Sequence, residues 1–220
     1  MNEGELRRDL VEYSRECITR GLSNATAGNI SVRFGDGMLI TPSGVEPFDM
    51  REEQIAAVSF DGASSGPLKP SSEWALHASL YRRRLDAQAV VHAHPVYCVA
   101  LSALRKPIPP FHYMVAGFGG EEIPCAPYEV FGSQALADVV SATLGQNYHA
   151  CLMANHGMIA LGADLKTAFS RTEKLETLAR QYQLAKSVGD PVLLTKAEMS
   201  DVREAYSTYG YGKPRPKTPS

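Results

Sequence analysis

Residues 90–98 read VVHAHPVYC, an apolar run that carries two histidines one residue apart. The β-branched valines favour a strand, and on a strand residues i and i+2 project from the same face. His92 and His94 therefore lean to one side of an element that otherwise belongs to a core. Any fold that contains this strand must supply partners for both imidazoles on that side, because one set of donors and acceptors has to serve two rings. Two readings follow: a hydrogen-bonded polar patch, or half of a metal site.

The neighbouring segments bound the architecture. Glu5 to Leu22 carries Leu6, Leu10, Tyr13 and Cys17 at helical spacing, with Gly21 as its stop. ISVRF alternates Ile30, Val32 and Phe34, and the Gly-Asp-Gly that follows turns it into MLITP as a hairpin. QIAAVSF, ended by Asp61-Gly62, reads as another strand. Ser71 or Ser72, just after Pro70, caps a helix from Glu73 to about Arg84. AQAVVHAH returns as a strand, and Pro95 opens a short helix through Leu104.

IPPFHYM and IPCAPY read as short extended pieces around a glycine-rich loop. Ser133 caps the helix QALADVVSATL, and HACLMANHGMIAL reads as two strands with a tight turn at Asn155-His156-Gly157. Asp164 opens the longest helix, which runs to near Gly189, and Thr195 to Glu198 has capping-box spacing for a last one. Hairpins mixed with helices predict an α/β fold: a single-domain α/β/α sandwich with a largely antiparallel central sheet. Residues 1–210 make up that domain, followed by a flexible C-terminal tail over 211–220.

Composition excludes several classes. With 220 residues, 44% hydrophobic and a formal net charge of −2, the chain can bury one sizeable core but has no basic field for nucleic acid or an anionic membrane. The charged N-terminus lacks a signal-peptide core, and no apolar run is long enough to span a bilayer. Cys17, Cys98, Cys125 and Cys151 form no C-x-x-C pair and read as buried reduced thiols, which implies a cytoplasmic address.

Among the six histidines, His156 stands apart because it sits in a turn, ANHG, at the end of an apolar strand. Three imidazoles delivered from strand ends are a common way to hold a catalytic divalent metal with one position open. His77, four residues after Glu73 on the same helix face, is a rival ligand, whereas His112 and His149 are expected to make ordinary hydrogen bonds. Glu73 is the best-placed carboxylate for proton chemistry; its plainer role is a helix N-terminal charge worth about 0.3–1 kcal/mol. TAGN (26–29), TPSG (41–44) and PSSE (70–73) are either simple turns or parts of an anion cradle built from Gly28, Asn29, Ser43, Gly44, Ser71 and Ser72. Charge-assisted hydrogen bonds of about 1.5–3 kcal/mol each would dominate such a cradle. The nucleotide P-loop pattern is absent.

The segments GLSNATAGNISVR, LITPSG, KPSSEW, VVHAHPVYC, IPPFHYM, IPCAPY, ANHG and YSTYG fall in the order seen in the class II aldolase/adducin family, which the chain resembles over nearly its whole length. The resemblance implies zinc, or another divalent metal, held by His92, His94 and His156 with Glu73 as a displaceable ligand and general base. It implies phosphate binding by the cradle residues, with Gly28 in the same TAGN turn as Asn29. Tyr113 matches a proton donor and Tyr209 a C-terminal active-site tyrosine. It further implies a homotetramer with active sites between subunits, and cleavage of a small phosphorylated sugar, a ketose 1-phosphate such as L-fuculose 1-phosphate, to dihydroxyacetone phosphate and a small aldehyde through an enediolate.

A decarboxylase or dehydratase of a sugar or sugar-acid phosphate is the alternative on the same scaffold. Val115-Ala116-Gly117 stands where sugar-phosphate epimerases of the superfamily carry an acid, which argues against that activity. A non-catalytic adducin-like module would lack the metal set that this chain retains.

Overall fold

The computed structural model describes residues 2–208; Tyr209 and the 211–220 tail lie outside the described residues. The chain opens with helix α1 (Glu3–Thr19), two residues earlier than its apolar spacing suggests, because Asn2 and Glu5 close a reciprocal capping box. The hairpin β1 (Asn29–Phe34) and β2 (Gly37–Ile40) follows, then β3 (Ala56–Ser59) and a two-residue strand β4 (Ser64–Ser65) that sequence pattern did not reveal. Helix α2 (Trp74–Arg83), β5 (Ala89–Ala93) and helix α3 (Val96–Ser102) bring the chain past the paired histidines. β6 (Cys125–Ala126), α4 (Gln134–Leu144), β7 (Ala150–Met153), β8 (Gly157–Gly162), α5 (Leu165–Val188) and α6 (Lys196–Thr208) complete the order.

The eight strands form one sheet in the order β4-β3-β2-β1-β5-β8-β7-β6, antiparallel at every junction except β6–β7. The α/β/α sandwich with a largely antiparallel sheet is therefore what the chain adopts. One sheet face, including Val32, Val91 and Ala160, packs with Leu10 of α1, Cys98 of α3 and Phe169 of α5. The other, including Val90, Ile159 and Cys151, packs with Leu76 and Leu80 of α2 and Val140 of α4. β5 lies at the centre between β1 and β8 and is buried on both faces. The period-2 rule puts His92 on the α2/α4 face with Val90.

Three local expectations are corrected. Glu73, not Ser71 or Ser72, is the N-cap of α2, and its carboxylate makes no cap bond because it turns into the histidine cluster; Ser71 Oγ instead accepts the Glu73 N–H at 3.3 Å. Pro95 is the N-cap of α3, not its first helical residue. Tyr113–Phe118 winds as a 3₁₀ helix across the end of the piece expected to be extended and the start of the glycine-rich loop, with His112 Nδ1 accepting the Met114 N–H as its cap and Val115 and Phe118 buried. One short turn of this kind leaves no period to read in the sequence.

A proline at the N-cap has no side-chain acceptor to offer, and α3 borrows one. The Glu176 carboxylate of α5 accepts the N–H groups of Tyr97 and Cys98, each at 2.9 Å. This cap fixes the helix that leaves directly from His94. Glu176→Ala should lower stability by about 1–3 kcal/mol, and Glu176→Gln by less, in urea unfolding followed by circular dichroism. An unchanged midpoint for Glu176→Ala would remove the cap from the account.

Candidate active site

His92 is the penultimate residue of the fully buried β5, His94 lies one residue beyond the strand, and His156 lies one residue before β8. Because β5 and β8 pair antiparallel, with Ala93 opposite Met158, the end of one and the start of the other fall together. The three rings meet edge to face with centroids 4.7, 4.8 and 4.9 Å apart, and their ligand nitrogens lie within 4.8 Å of one another. Close backbone approach makes this possible. A Cβ on Gly157 would sit 2.6 Å from the Ala93 carbonyl oxygen and 2.7 Å from His94 Cδ2. The left-handed residue of the turn is Asn155 (φ 53°), so Gly157 is needed for space, not for backbone freedom. Gly28 combines both demands: φ is +84°, and a Cβ there would lie 2.8 Å from the His92 carbonyl oxygen.

Glu73 reaches the cluster from the start of α2. It is 6% exposed, with Oε2 3.1 Å from His92 Nε2 and Oε1 3.6 Å from His156 Nε2. His92 Nδ1 faces the Met158 carbonyl oxygen at 2.8 Å and must carry its proton there, which leaves Nε2 as a lone pair in the neutral ring. That lone pair faces His94 Nε2 at 2.9 Å as well as the carboxylate. Glu73 Oε1 is buried without a hydrogen-bond partner. Several acceptors turned inward on one another call for a proton or a cation, and nitrogen donors with a carboxylate oxygen suit a divalent metal. The residues present fit one.

His77 is not a ligand. Its fully buried ring spends both nitrogens elsewhere, on Ser31 Oγ and Asn29 Oδ1, each at 2.6 Å. His149 Nδ1 lies 3.3 Å from an Arg84 nitrogen, an ordinary contact as expected.

Gly28, Asn29, Ser43, Gly44, Ser71 and Ser72 all line one cavity of about 430 Å3 with Glu73, His94 and His156. The Ser71 N–H donates to Thr41 O and the Ser43 N–H to Lys69 O, which ties the two loops together. Asn29 gives its Nδ2–H to Glu73 Oε2 at 3.0 Å. Tyr128, Glu129, Phe131 and Asn155 also line the cavity. The first three escaped the sequence reading, although two aromatics in a loop bounded by proline and glycine, APYEVFG, were a signal. Tyr113 is not brought to this cavity; it is 51% exposed on the 3₁₀ helix, stacked on His112 and 6.5 Å from Tyr206.

Burial, then the nearby His92, lowers His94 to about 3; burial, likewise followed by His92, lowers His156 to about 4. Burial opposes charge on both His92 and Glu73. Their mutual attraction prevails, raising His92 and holding the Glu73 carboxyl well below its usual range.

An α/β/α sandwich that brings three imidazoles and a buried acid together has the donor set of a metal-dependent enzyme. Residues 8–183 match the Class II Aldolase and Adducin N-terminal domain. The chain is 42% identical over 215 residues to a 5-methylthioribulose-1-phosphate/5-deoxyribulose-1-phosphate aldolase of Rhodospirillum rubrum, covering 98% of this chain and 97% of that one. It is 41% identical over 211 residues to the L-fuculose phosphate aldolase of Escherichia coli K12, covering 96% and 98%. A solved L-fuculose 1-phosphate aldolase superposes with a TM-score of 0.88 at 35% identity, covering 92% of this chain and 96% of that one. The chain belongs to the class II aldolase and adducin family, among its aldolases, which are aldehyde-lyases. No helix among the described residues is long and apolar enough to cross a membrane.

The pKa pattern has a measurable sign. In the metal-free protein His94 and His156 are already neutral at pH 5.5, whereas His92, raised by Glu73, still carries its proton there. Metal uptake at pH 5.5 should therefore release about one proton and weaken as pH falls, by calorimetry in buffers of different ionisation heat. Three unperturbed histidines would release more than two. A release of two or more would refute this electrostatic picture.

Proposed function

We propose that the chain is a zinc-dependent aldolase, in a homotetramer, that cleaves a ketose 1-phosphate reversibly to dihydroxyacetone phosphate and a small aldehyde. The observation that carries this reading is the buried, unbonded Glu73 Oε1, 3.6 Å from His156 Nε2, beside the cavity that Glu73, His94 and His156 line. The names of the relatives support the substrate class. They divide between L-fuculose 1-phosphate and the 5-deoxy- and 5-methylthioribulose 1-phosphates at nearly equal identity. L-fuculose 1-phosphate, with L-lactaldehyde as the second product, is our first candidate.

His92, His94 and His156 hold the metal, with Glu73 as its oxygen ligand, and the bound ion supplies Lewis-acid stabilisation of negative charge beside the ketone. The chain's own groups do the rest. Backbone N–H groups and hydroxyls at Gly28, Asn29, Ser43, Gly44, Ser71 and Ser72 anchor the phosphate, so that binding energy positions the reacting carbon. In cleavage, Tyr113 takes the proton of the hydroxyl on the fourth carbon as the bond to the third carbon breaks. In synthesis Glu73, as carboxylate, removes a proton from the third carbon and Tyr113, as phenol, gives its own to the aldehyde oxygen. Cleavage is the reverse, starting from Tyr113 as phenolate and Glu73 protonated, so that Glu73 returns its proton to the third carbon. Tyr113, exposed and remote from its own subunit's cavity, serves a neighbour's site, as does Tyr209.

Chelation should abolish turnover and added zinc restore it, in an assay coupling dihydroxyacetone phosphate release to a readout. L-fuculose 1-phosphate, its stereoisomers, 5-deoxyribulose 1-phosphate and 5-methylthioribulose 1-phosphate are the panel. Full activity without bound metal would overturn the metal role. Silence of the loaded protein on every member would favour decarboxylation or dehydration instead.

Shared sites make a second prediction. Glu73→Gln and Tyr113→Phe should each be nearly inactive, yet an equimolar, re-equilibrated mixture should recover about a quarter of wild-type activity, the share of sites in a cyclic tetramer that pair two intact residues. A mixture as inactive as its components would place Tyr113 outside a shared site.

A further inference from the structure

Behind the metal cluster lies a run of buried polar side chains that the proposed chemistry does not use. Tyr81 OH lies 2.8 Å from Ser31 Oγ, and Ser31 Oγ lies 2.6 Å from His77 Nδ1. His77 Nε2 lies 2.6 Å from Asn29 Oδ1, and Asn29 Nδ2 lies 3.0 Å from Glu73 Oε2. Ser31, His77 and Tyr81 are fully buried, Asn29 nearly so. The run joins α2 to β1 and back to the N-cap of α2.

Its polarity is determined from one end. An ionised carboxylate only accepts, so Asn29 must present its amide nitrogen to Glu73. Its oxygen then faces His77, which must donate from Nε2. Nδ1 is left as an acceptor for the Ser31 hydroxyl, and Ser31 in turn accepts from Tyr81. Every donor points toward Glu73. Burial lowers His77 to about 3, so the ring is neutral and keeps the one tautomer the chain of bonds requires. Reversing the Asn29 amide would set oxygen against oxygen at Glu73 and N–H against N–H at His77.

We propose that His77, held by Ser31 and Tyr81, is a positioning residue that acts through Asn29 to hold the Glu73 carboxylate in line for proton transfer. The proposal rests on the aldolase reading for its kinetic arm. The His77 ring does not line the cavity and reaches the site only through Asn29, so its loss is felt first at the Glu73 carboxylate that the Asn29 amide orients. The three imidazoles still hold the metal, and the loops at Ser43, Gly44, Ser71 and Ser72 still hold the phosphate. Outer partners that orient a functional group are typically worth about 10–100-fold.

The test compares metal-loaded His77→Phe, His77→Gln and Ser31→Ala with the wild type. Metal content and melting temperature, kcat and KM for the cleaved ketose phosphate, and solvent-deuterium exchange into dihydroxyacetone phosphate alone are measured. Exchange isolates the step assigned to Glu73. His77→Phe should keep its metal and a KM within about twofold while kcat and exchange fall together by about 10–100-fold. His77→Gln, whose amide can still donate to Asn29, should recover most of the loss. Ser31→Ala, a smaller change, should move kcat the same way and serves if His77→Phe does not fold.

Wild-type kcat in the variants overturns the proposal. So does a loss of kcat that tracks a loss of metal, or a glutamine variant no better than phenylalanine. A loaded wild type that neither cleaves nor exchanges would instead refute the aldolase reading. The relay would then be decided by nitrogen-15 spectra, which should show the His77 proton on Nε2 in the wild type; a proton on Nδ1 overturns it whatever the activity.

Discussion

The site depends on one buried carboxylate held among imidazoles. Removing Glu73 from water costs several kcal/mol unless charge and hydrogen bonds compensate, and an unpaired acid so placed would take up a proton. Here His92 supplies the opposing charge in the metal-free protein, and Asn29 supplies a donor. The carboxylate stays ionised, the state required of a metal ligand or a base. With one oxygen bonded and the other facing the imidazoles, it is held on one side and available on the other.

The sheet exists in this form because it delivers those groups to one place. β5, at its centre, takes β1 on one side and β8 on the other, both antiparallel. Antiparallel pairing sets Asn29 directly opposite His92 and brings the start of β8 to the end of β5, where His156 meets His94. The polar chain from Tyr81 to Glu73 runs between this sheet and α2. It is satisfied at each link, which is the condition under which a buried polar network specifies one arrangement.

Much of this was legible in the chain. His92 and His94 declared themselves by i,i+2 spacing in an apolar strand, and His156 by its place in a turn. The hairpin at Gly35-Asp36-Gly37, the Ser133 and Asp164 caps and the capping box at Thr195 matched their structures, because caps and tight turns are chemistry of neighbours in sequence. The 3₁₀ turn at Tyr113–Phe118 and the short β4 were not legible, since neither is long enough to carry a period. The role of Glu73 within its helix was misjudged for a different reason: a serine beside a proline looks like a cap whatever the acid next to it is doing.

The sequence by itself determined which side chains could do chemistry, how each local element begins and ends, and which face of β5 is polar. Only the tertiary structure decided that His77 spends both ring nitrogens on Ser31 and Asn29 and is not a ligand, that Glu73 faces the histidines, and that Tyr113 lies away from the cavity. Backbone spacing dictates what i, i+2 and i, i+4 neighbours share. Convergence of residues 29, 73, 92 and 156 depends on strand register and on how α2 packs across the sheet, and those distances are not written in any local stretch of the chain.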